Sequence, residues 1–338
     1  MPSLAQPENT AATTDIRREL QGLSSGCGFH VLEQSLTSLK GADRVRWLNG
    51  MVTNNIRDLT PGNGVYAFVL TPQGQIRGDL YAFNRGESLV IETERAQTET
   101  LLPLLRRYII MDKVEVEDLS GAVGVVGLVG PKSAATLAAI GLNAGELKPL
   151  QISELSWSGN AITVVRKDHP VVDSFELWAP SEIVASLTEA LRERGAIEVS
   201  VQTLEVLRIA SGTPKIGQDI REKTLPQETG QDRALNFNKG CFIGQEIVER
   251  IRARGAVHRT LAGFEVEGPS PVPGEKIQSE GKDAGEITSV AIVSANDSEK
   301  VIALGVLRKE YLGGEKELMA GDARLRIASL PFAGVFGS

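Results

Sequence analysis

The chain has 338 residues, of which 41% are hydrophobic and 23% are charged, and its formal net charge at pH 7 is −7. These proportions are ordinary for a globular protein, and the acidic balance argues against a generally basic nucleic-acid binder. No apolar run in the sequence is long enough to cross a membrane. The length predicts two or three domains, and two cysteines, Cys27 and Cys241, make no disulfide framework. A reducing cytoplasm is therefore the expected compartment.

Residues 1–28 precede the first predicted strand. Roughly the first fifteen are small and polar and lack the apolar core of a signal peptide, so we predict a disordered or extended segment. Metal-ligating residues are sparse along the whole chain, because both cysteines and the three histidines, His30, His169 and His258, are widely separated. No pair has the spacing of a zinc or iron–sulfur motif, and we expect no metal ligated by this chain alone.

Residues 29–118 alternate strand-like and helix-like patterns. In chain order they predict a strand region at 29–39, a short helix around 44–51, a hairpin of strands 65–70 and 75–83, a helix at 96–110 and a strand at 113–119. The hairpin follows from the turn residues Pro72-Gln73-Gly74 between two apolar runs, and the longer helix follows from its stripe of leucines. This mixture indicates an α+β unit.

Residues 119–199 predict a second unit with the order β-α-β-β-β-α. Its elements are a nearly all-apolar strand at 122–129, a helix at 133–140, a hairpin of strands 152–157 and 161–166, a strand at 173–178 and a helix at 180–194. The apolar first strand is typical of the centre of a sheet. The whole order is typical of a ferredoxin-like sandwich of helices on a sheet.

Residues 200–256 contain a helix at 201–210 and then a long polar connection at 212–238. A connection of this length inside a compact domain is usually functional or disordered. Because this one leads straight into a cysteine motif, we interpret it as a loop of a functional site.

The cysteine motif is Lys239-Gly240-Cys241, and the helix after it is predicted to run from near Gly244 to a left-handed cap at Gly255. A thiol just before a helix N-terminus and close to a lysine is expected to have a lowered pKa. The alternative is a small buried hydrophobe, which is the usual role of a lone cysteine. Spacing alone leaves both interpretations open.

The character of the chain changes after residue 256. Short alternating strands at 259–267, 276–278, 285–293, 300–307 and 323–328 are separated by glycine, proline and asparagine turns. Alternation with closely spaced turns predicts a small antiparallel β-barrel over residues 257–338.

Residues 239–246 read K-G-C-F-I-G-Q-E. All eight positions fit the signature K-G-C-[FY]-x-G-Q-E, so the chain resembles the YgfZ family, the folate-binding relatives of the glycine-cleavage aminomethyltransferase GcvT. The resemblance implies an α+β fold of ferredoxin-like units followed by a C-terminal antiparallel barrel. Residues 29–118 and 200–256 would form the GcvT-like folate-binding domain, residues 119–199 the second ferredoxin-like domain and residues 257–338 the barrel.

Further residues match superfamily positions that contact folate. Asp79 matches the second of two adjacent carboxylates in the transferase motif G-G-x-x-D-D-L, and Gly78 stands in place of the first. Glu176 matches the glutamate of G-[FY]-E-[IL], and Arg208 matches the arginine of L-R-[LI]-E-A-G. The folate contacts that the resemblance implies are Asp79, Glu176, Arg208, Gly240 and Gln245.

The function that the resemblance implies is that of an accessory factor. It would bind tetrahydrofolate or a one-carbon derivative and support the assembly or repair of iron–sulfur enzymes, including tRNA-modifying ones. Lys239, Cys241 and Asp79 are the residues expected to carry its chemistry. The expected partners are folate and iron–sulfur client or assembly proteins, and we expect a monomer.

Two other functions compete with this hypothesis. An aminomethyltransferase would pass a one-carbon unit from a lipoyl-bound aminomethyl group to tetrahydrofolate, but Gly78 and Ala210 replace two of that family's carboxylates. A plain interaction module would use Cys241 only for packing, which the eight-position match argues against. The arginines at 250, 252, 254 and 259 lie close in sequence to Lys239 and could meet phosphate or a folate polyglutamate tail. For Arg250 and Arg252 we favour a solvated helix end, and direct RNA binding is not expected.

Overall fold

The computed structural model describes residues 7–255, 257–295, 298–314 and 316–333. The helices in these ranges are α1 Pro7–Ser25, α2 Arg44–Met51, α3 Arg95–Arg107, α4 Ser133–Ala139, α5 Val184–Glu193, α6 Val201–Ala210 and α7 Gln245–Arg254. The strands are β1 Gly28–Leu32, β2 Gln34–Lys40, β3 Gly64–Leu70, β4 Ile76–Asn84, β5 Leu89–Glu94, β6 Glu115–Asp118, β7 Val123–Val129, β8 Ile152–Trp157, β9 Asn160–Arg166, β10 Ser174–Pro180, β11 Ile197–Glu198, β12 Arg259–Glu267, β13 Lys276–Ser279, β14 Lys282–Ala295, β15 Ser298–Arg308, β16 Leu318–Ala320 and β17 Ala323–Ala328. No helix in these ranges combines the length and the apolar character that crossing a membrane requires.

The first sheet has five strands in the order β3-β4-β5-β2-β6. The predicted hairpin is confirmed, since β3 and β4 pair antiparallel with Tyr66 opposite Tyr81. Helices α2 and α3 cover one face of the sheet, and their apolar side chains are buried against the strands. The other face packs on the second sheet, where the ring centroids of Phe83 and Trp178 are 5.3 Å apart. The two sheets therefore share a core.

The second sheet has six strands in the order β11-β1-β7-β10-β9-β8, with β7 between β1 and β10. Helices α4 and α5 pack on its outer face. The strand region predicted at 29–39 is confirmed, but it forms two strands: β1 pairs with β7 in this sheet, while β2 pairs with β5 in the first. Glu33 lies between the two strands, at the point where the chain crosses from one sheet to the other. Continuous alternation along a sequence does not reveal which partner each half of a strand has.

The N-terminal segment differs from the expectation of a disordered or extended 1–28. Residues 7–25 form helix α1, and residues 1–6 lie outside the described residues. Leu20 and Leu23 are 8% and 1% exposed, and the carboxylate of Glu19 accepts hydrogen bonds from the hydroxyls of Ser200 and Thr203. Ile16 also packs beside Leu20 against α6 and the barrel. The helix is ordered because these contacts bury one of its faces, and packing of this kind supplies most of the stability of helices in proteins.

The predicted C-terminal barrel is confirmed. Six antiparallel strands close in the order β12-β15-β14-β13-β16-β17, around a core that includes Phe264, Ile277 and Leu307. The connection at 212–238 is anchored to this barrel through Asp219. Its buried carboxylate accepts hydrogen bonds from the hydroxyls of Thr288 and Ser289 on β14. The described fold is thus an α+β pair of sheets joined to a closed barrel, as predicted.

Candidate functional site

The loop before α7 carries the cysteine of the signature. The predicted helix is confirmed, since α7 begins at Gln245 and ends at a left-handed Gly255 with φ of 64°. Gly244 has φ of 82°, a conformation that favours glycine. A Cβ there would lie 2.6 Å from the carbonyl oxygen of Thr71, so the loop packs closely against the turn between β3 and β4. Gly244 is therefore required by both backbone conformation and space.

Of the two cysteines, Cys241 is exposed and Cys27 is buried. Exposure excludes the interpretation of Cys241 as a small buried hydrophobe, and the reactivity of its thiol stays a prediction. Gly240 beside it is exposed as well, and Gln245 is half-buried. Cys27 lies 3.5 Å from the hydroxyl of Ser133, and burial raises the pKa of its thiol. The chain thus contains its own unreactive reference cysteine.

Lys239 is buried, with 5% of its surface exposed. Its ammonium donates hydrogen bonds to the backbone oxygens of Asn49 at 2.5 Å, Val52 at 2.5 Å and Asn54 at 2.7 Å. Burial, assisted by the nearby Arg57 guanidinium, lowers the pKa of Lys239 to about 7. Because an ammonium has three N–H donors and backbone oxygens take all of them, Lys239 attaches the loop to residues 49–54.

Asp79 is held on β4 by two side chains. The hydroxyl of Tyr66 donates to one carboxylate oxygen at 2.6 Å, and the amide of Gln97 donates to the other at 2.8 Å. Burial raises the pKa of Asp79, against the opposing effect of these hydrogen bonds. At the neighbouring Gly78, a Cβ would lie 2.7 Å from the side-chain oxygen of Gln97 and 2.8 Å from the methyl groups of Leu101. A carboxylate side chain at position 78 would require Gln97 and Leu101 to shift.

An aromatic and charged network extends from Asp79 that the sequence analysis did not predict. The rings of Tyr66 and Tyr81 are 5.0 Å apart, and the guanidinium of Arg233 lies 4.3 Å from the centre of the Tyr66 ring. Arg233 forms an ion pair with Asp168, to which the Tyr81 hydroxyl also donates at 3.2 Å. Burial raises the pKa of Tyr81 to about 12, so this hydroxyl is a donor at neutral pH.

Glu176 lies in a buried group of three charges between the sheets. The ammonium of Lys167 is 2.8 Å from Glu92 and 3.2 Å from Glu176, and it lies 3.7 Å from the centre of the Tyr81 ring. Burial and the Glu176 charge raise the pKa of Glu92 to about 8. Burial lowers the pKa of Lys167, but the two carboxylates outweigh that effect and raise it. Through Tyr81 this group joins the network around Asp79.

The hydrogen-bond donors of Arg208 are all used by other groups of the protein. Its five N–H groups donate to both carboxylate oxygens of Glu205, to Asp219, to the Thr213 carbonyl and to the hydroxyl of Ser289, over 2.6–2.8 Å. A guanidinium has no further donors. Arg208 therefore ties α6 and the connection to strand β14, while Asp79 and Glu176 share the network through Tyr81.

A cavity of about 540 Å³ lies between the second sheet unit, residues 211–233 and the barrel. Asp168 comes from the second unit, Arg233 from the connection, and Leu261 and Leu330 from the barrel side. We call this the junction cavity. The Arg233–Asp168 pair lies between it and the tyrosines.

A larger cavity of about 700 Å³ lies between the connection and the barrel. Its charged side chains are largely paired with one another, including Arg221 with Glu286 and Arg308 with Asp283. The junction cavity has the larger claim to a ligand despite its smaller volume, because its Arg233 and Asp168 adjoin the network around Asp79 and Glu176. Within the described ranges, no group of three histidine, cysteine or acidic side chains has the geometry to hold a metal ion.

One signal in the sequence could have revealed the tyrosines. With a turn at 72–74, antiparallel pairing places residues whose numbers sum to about 147 opposite each other, which brings Tyr66 to Tyr81. Nothing comparable identifies Arg233, Asp168 or Lys167, because they come from connections that only the folded chain brings together.

Two family models match the chain. The GCVT N-terminal domain matches residues 7–239, and the CAF17 C-terminal beta-barrel domain matches residues 258–333. The tRNA-modifying protein YgfZ of Yersinia enterocolitica is 31% identical over 243 residues, which cover 67% of this chain and 67% of that protein. An aminomethyltransferase of Nostoc sp. is 27% identical over 284 residues, covering 81% of this chain and 75% of that protein.

Among solved structures, the glycine cleavage system aminomethyltransferase T from Bartonella henselae superposes with a TM-score of 0.84 at 21% identity, over 95% of this chain and 90% of that one. This likeness establishes the fold. The GCVT domain match spans more than half of the chain, and the YgfZ relative exceeds 30% identity over two thirds of it. The chain therefore belongs to the aminomethyltransferase superfamily and, within it, to the family of YgfZ tRNA-modifying proteins.

Proposed function

We propose that this protein binds tetrahydrofolate or a one-carbon derivative and supports the assembly or repair of iron–sulfur enzymes, including tRNA-modifying ones. The observation that carries the proposal is the combination of an exposed signature cysteine with a separate junction cavity. Membership of a family whose relatives are named tRNA-modifying proteins supports it. Folate and iron–sulfur client or assembly proteins are the proposed partners, and cytoplasm is the proposed compartment.

The junction cavity suits a folate in size and lining. A volume of about 540 Å³ falls within the range of about 300–1,000 Å³ that is usual for small-molecule sites. Leu261 and Leu330 offer apolar walls to a flat heterocycle, and the Asp168 carboxylate can accept its N–H donors. Arg233 supplies the cation that an anionic glutamate tail requires. We propose that Asp79 and Glu176 support these side chains from behind, through Tyr81.

A tetrahydrofolate titration tests the location. Arg233→Met keeps an unbranched apolar stem and removes the charge, so affinity should fall by about 1.5–3 kcal/mol, roughly 10- to 150-fold. The matched control is Arg221→Met, which removes an arginine from the larger cavity and should leave the affinity unchanged. The reverse pattern would place folate in the larger cavity, and unchanged affinity in both variants would remove folate from either.

A complementation assay tests the role of the thiol. In a strain that lacks its own YgfZ-family protein, Cys241→Ser should fail to restore modification of tRNA by iron–sulfur enzymes, because a hydroxyl is a far weaker nucleophile than the exposed sulfur. Cys27→Ser, at the buried cysteine, should restore it. Full rescue by Cys241→Ser would show that the thiol is not used.

A further inference from the structure

The loop that carries Cys241 is fastened at both ends to the C-terminal end of α2. A helix leaves its last four carbonyl groups without partners inside the helix. Here the Asn49 oxygen accepts from the Lys239 ammonium at 2.5 Å, and the Gly50 oxygen accepts from the Ile243 backbone N–H at 3.1 Å. The two attachment points, Lys239 and Ile243, flank the exposed pair Gly240 and Cys241.

The Lys239 attachment has an unusual chemistry. A buried charge is costly unless it is paired and fully hydrogen-bonded, and the ammonium of Lys239 is balanced by three backbone oxygens, all within 2.7 Å. The negative end of the α2 dipole and the face of the Phe242 ring, 5.0 Å away, also favour the charged form. Burial still outweighs them and lowers the pKa of Lys239 to about 7. No carboxylate forms an ion pair with Lys239 in the described part of the chain. The three oxygen acceptors all belong to the backbone of residues 49–54, so these hydrogen bonds fix the position of the loop relative to the end of α2.

The loop between the attachments is free to face a partner. A Cβ on Gly240 would meet no atom within 4 Å, and Cys241 is exposed. The N-terminal neighbours of the loop are also tied to the same segment, since Asn236 N–H donates to the Thr53 oxygen at 3.1 Å. Cys241 therefore lies in a short exposed segment, Gly240–Cys241, between the attachment points Lys239 and Ile243. We call this segment the crest.

We infer that Lys239 is a positioning residue, which acts by holding the Gly240–Cys241 crest against the end of α2. It does not act as a charge that lowers the thiol pKa or as a group that exchanges protons with a substrate. This inference rests on the proposed function, because it assigns to Cys241 the role that needs a fixed position. It also separates the roles of the two ends of Lys239-Gly240-Cys241. Cys241 is exposed to a partner, and Lys239 binds the protein's own backbone.

Two substitutions distinguish position from charge. Lys239→Met removes the charge and the donors, whereas Lys239→Arg keeps the charge in a planar fork that cannot direct three N–H groups from one nitrogen to three converging oxygens. If Lys239 positions the loop, both variants should lose complementation as Cys241→Ser does. If its charge activates the thiol, Lys239→Arg should rescue, and the pH midpoint of Cys241 alkylation should rise by about one unit in Lys239→Met alone.

Amide hydrogen exchange at Ile243 gives a readout that does not depend on activity. Loss of the Lys239 attachment should speed exchange there by about tenfold or more, while amides of the barrel stay protected. Unchanged Ile243 protection in Lys239→Met would overturn the inference. If Lys239→Met does not fold, Lys239→Gln retains an amide with two donors and should show an intermediate loss of protection; protection equal to the wild type in that variant would overturn the inference equally.

The proposed function and this inference can be tested separately. Tetrahydrofolate titration of the wild type tests the proposed function, whereas amide exchange at Ile243 tests the attachment of the loop. Absent folate binding in the wild type would remove the proposed function and leave the exchange result at Ile243 standing.

Discussion

At the scale of single residues, Gly78 marks the clearest chemical difference from the transferases. The resemblance places a carboxylate of the transferase motif at this position, and here the space for a side chain is filled by Gln97 and Leu101. Gln97 is also the partner that holds Asp79. The loss of the first carboxylate is therefore built into the packing of β4 against α3.

We predict that the purified protein forms no methylene-tetrahydrofolate from an aminomethyl-lipoyl carrier. We also predict that Gly78→Asp does not create this activity, and that it lowers the free energy of unfolding by about 1–3 kcal/mol because Gln97 and Leu101 must shift. A turnover assay and urea unfolding measure the two effects. Gly78→Ala, which adds the Cβ without a carboxylate, separates the cost of bulk from the cost of charge. Robust turnover by the wild type would favour the transferase hypothesis.

At the scale of elements, the connection at 212–238 is ordered by a clamp between α6 and the barrel. Arg208 on α6 reaches Asp219, whose side chain is fully buried, and both contact Ser289 on β14. The connection then continues to Arg233 at the junction cavity and to Lys239 at the crest. One buried ion pair thus supports two parts of the proposed site.

We predict that Arg208→Ala lowers the free energy of unfolding by about 3–5 kcal/mol, because it leaves the buried Asp219 carboxylate without its cation. Arg221→Ala removes an exposed ion pair with Glu286 on the same connection and should change stability by about 0–1 kcal/mol. Urea unfolding followed by circular dichroism compares the two. A folded Arg208→Ala protein of wild-type stability that had lost only folate affinity would restore the direct folate contact that the resemblance implies.

At the scale of the whole molecule, the segment between β9 and β10 joins the two sheets to the junction cavity. Lys167 bridges the sheets, Asp168 lines the cavity, and His169 turns inward. The ring nitrogen of His169 accepts hydrogen bonds from the backbone N–H groups of Val171 and Val172 at 3.3 Å. Burial lowers the pKa of His169 to about 4, so the native protein holds this ring neutral.

We predict an acid-dependent loss of stability from His169. Its folded pKa lies below the ordinary value of about 6.5, so the unfolded chain binds the proton more readily, and stability falls as the pH drops from about 6.5 to 4. The limit is about 3 kcal/mol from this single group. His169→Asn keeps an acceptor for the two N–H groups and should flatten this part of the profile. Unfolding curves that change equally with pH in both proteins would contradict the assignment.

Much of this molecule could be predicted from local patterns. The β3–β4 hairpin and α7 with its left-handed cap depend on interactions between residues near in sequence, and turn residues or periodicity reveal them. The strands of the barrel are recognisable in the same way, although its closure pairs β12 with the distant β17. The formation of helix α1 and the division of 29–39 between two sheets could not be predicted, since both depend on residues distant in sequence. Ser200 and Thr203 donate hydrogen bonds to Glu19 of α1. Strands β7 and β5 pair with the two halves of the strand region.

The sequence by itself determined the family, the position of the signature cysteine before a helix, and the absence of the first motif carboxylate at Gly78. Each of these can be recognised in a short run of residues. Only the tertiary structure decided the roles of Lys239 and Arg208, which resemble site residues by type and motif. A long cationic side chain can reach a ligand or a backbone oxygen with equal ease, and folding decides which acceptors are near. In this protein those acceptors are the end of α2 for Lys239 and the buried Asp219 for Arg208.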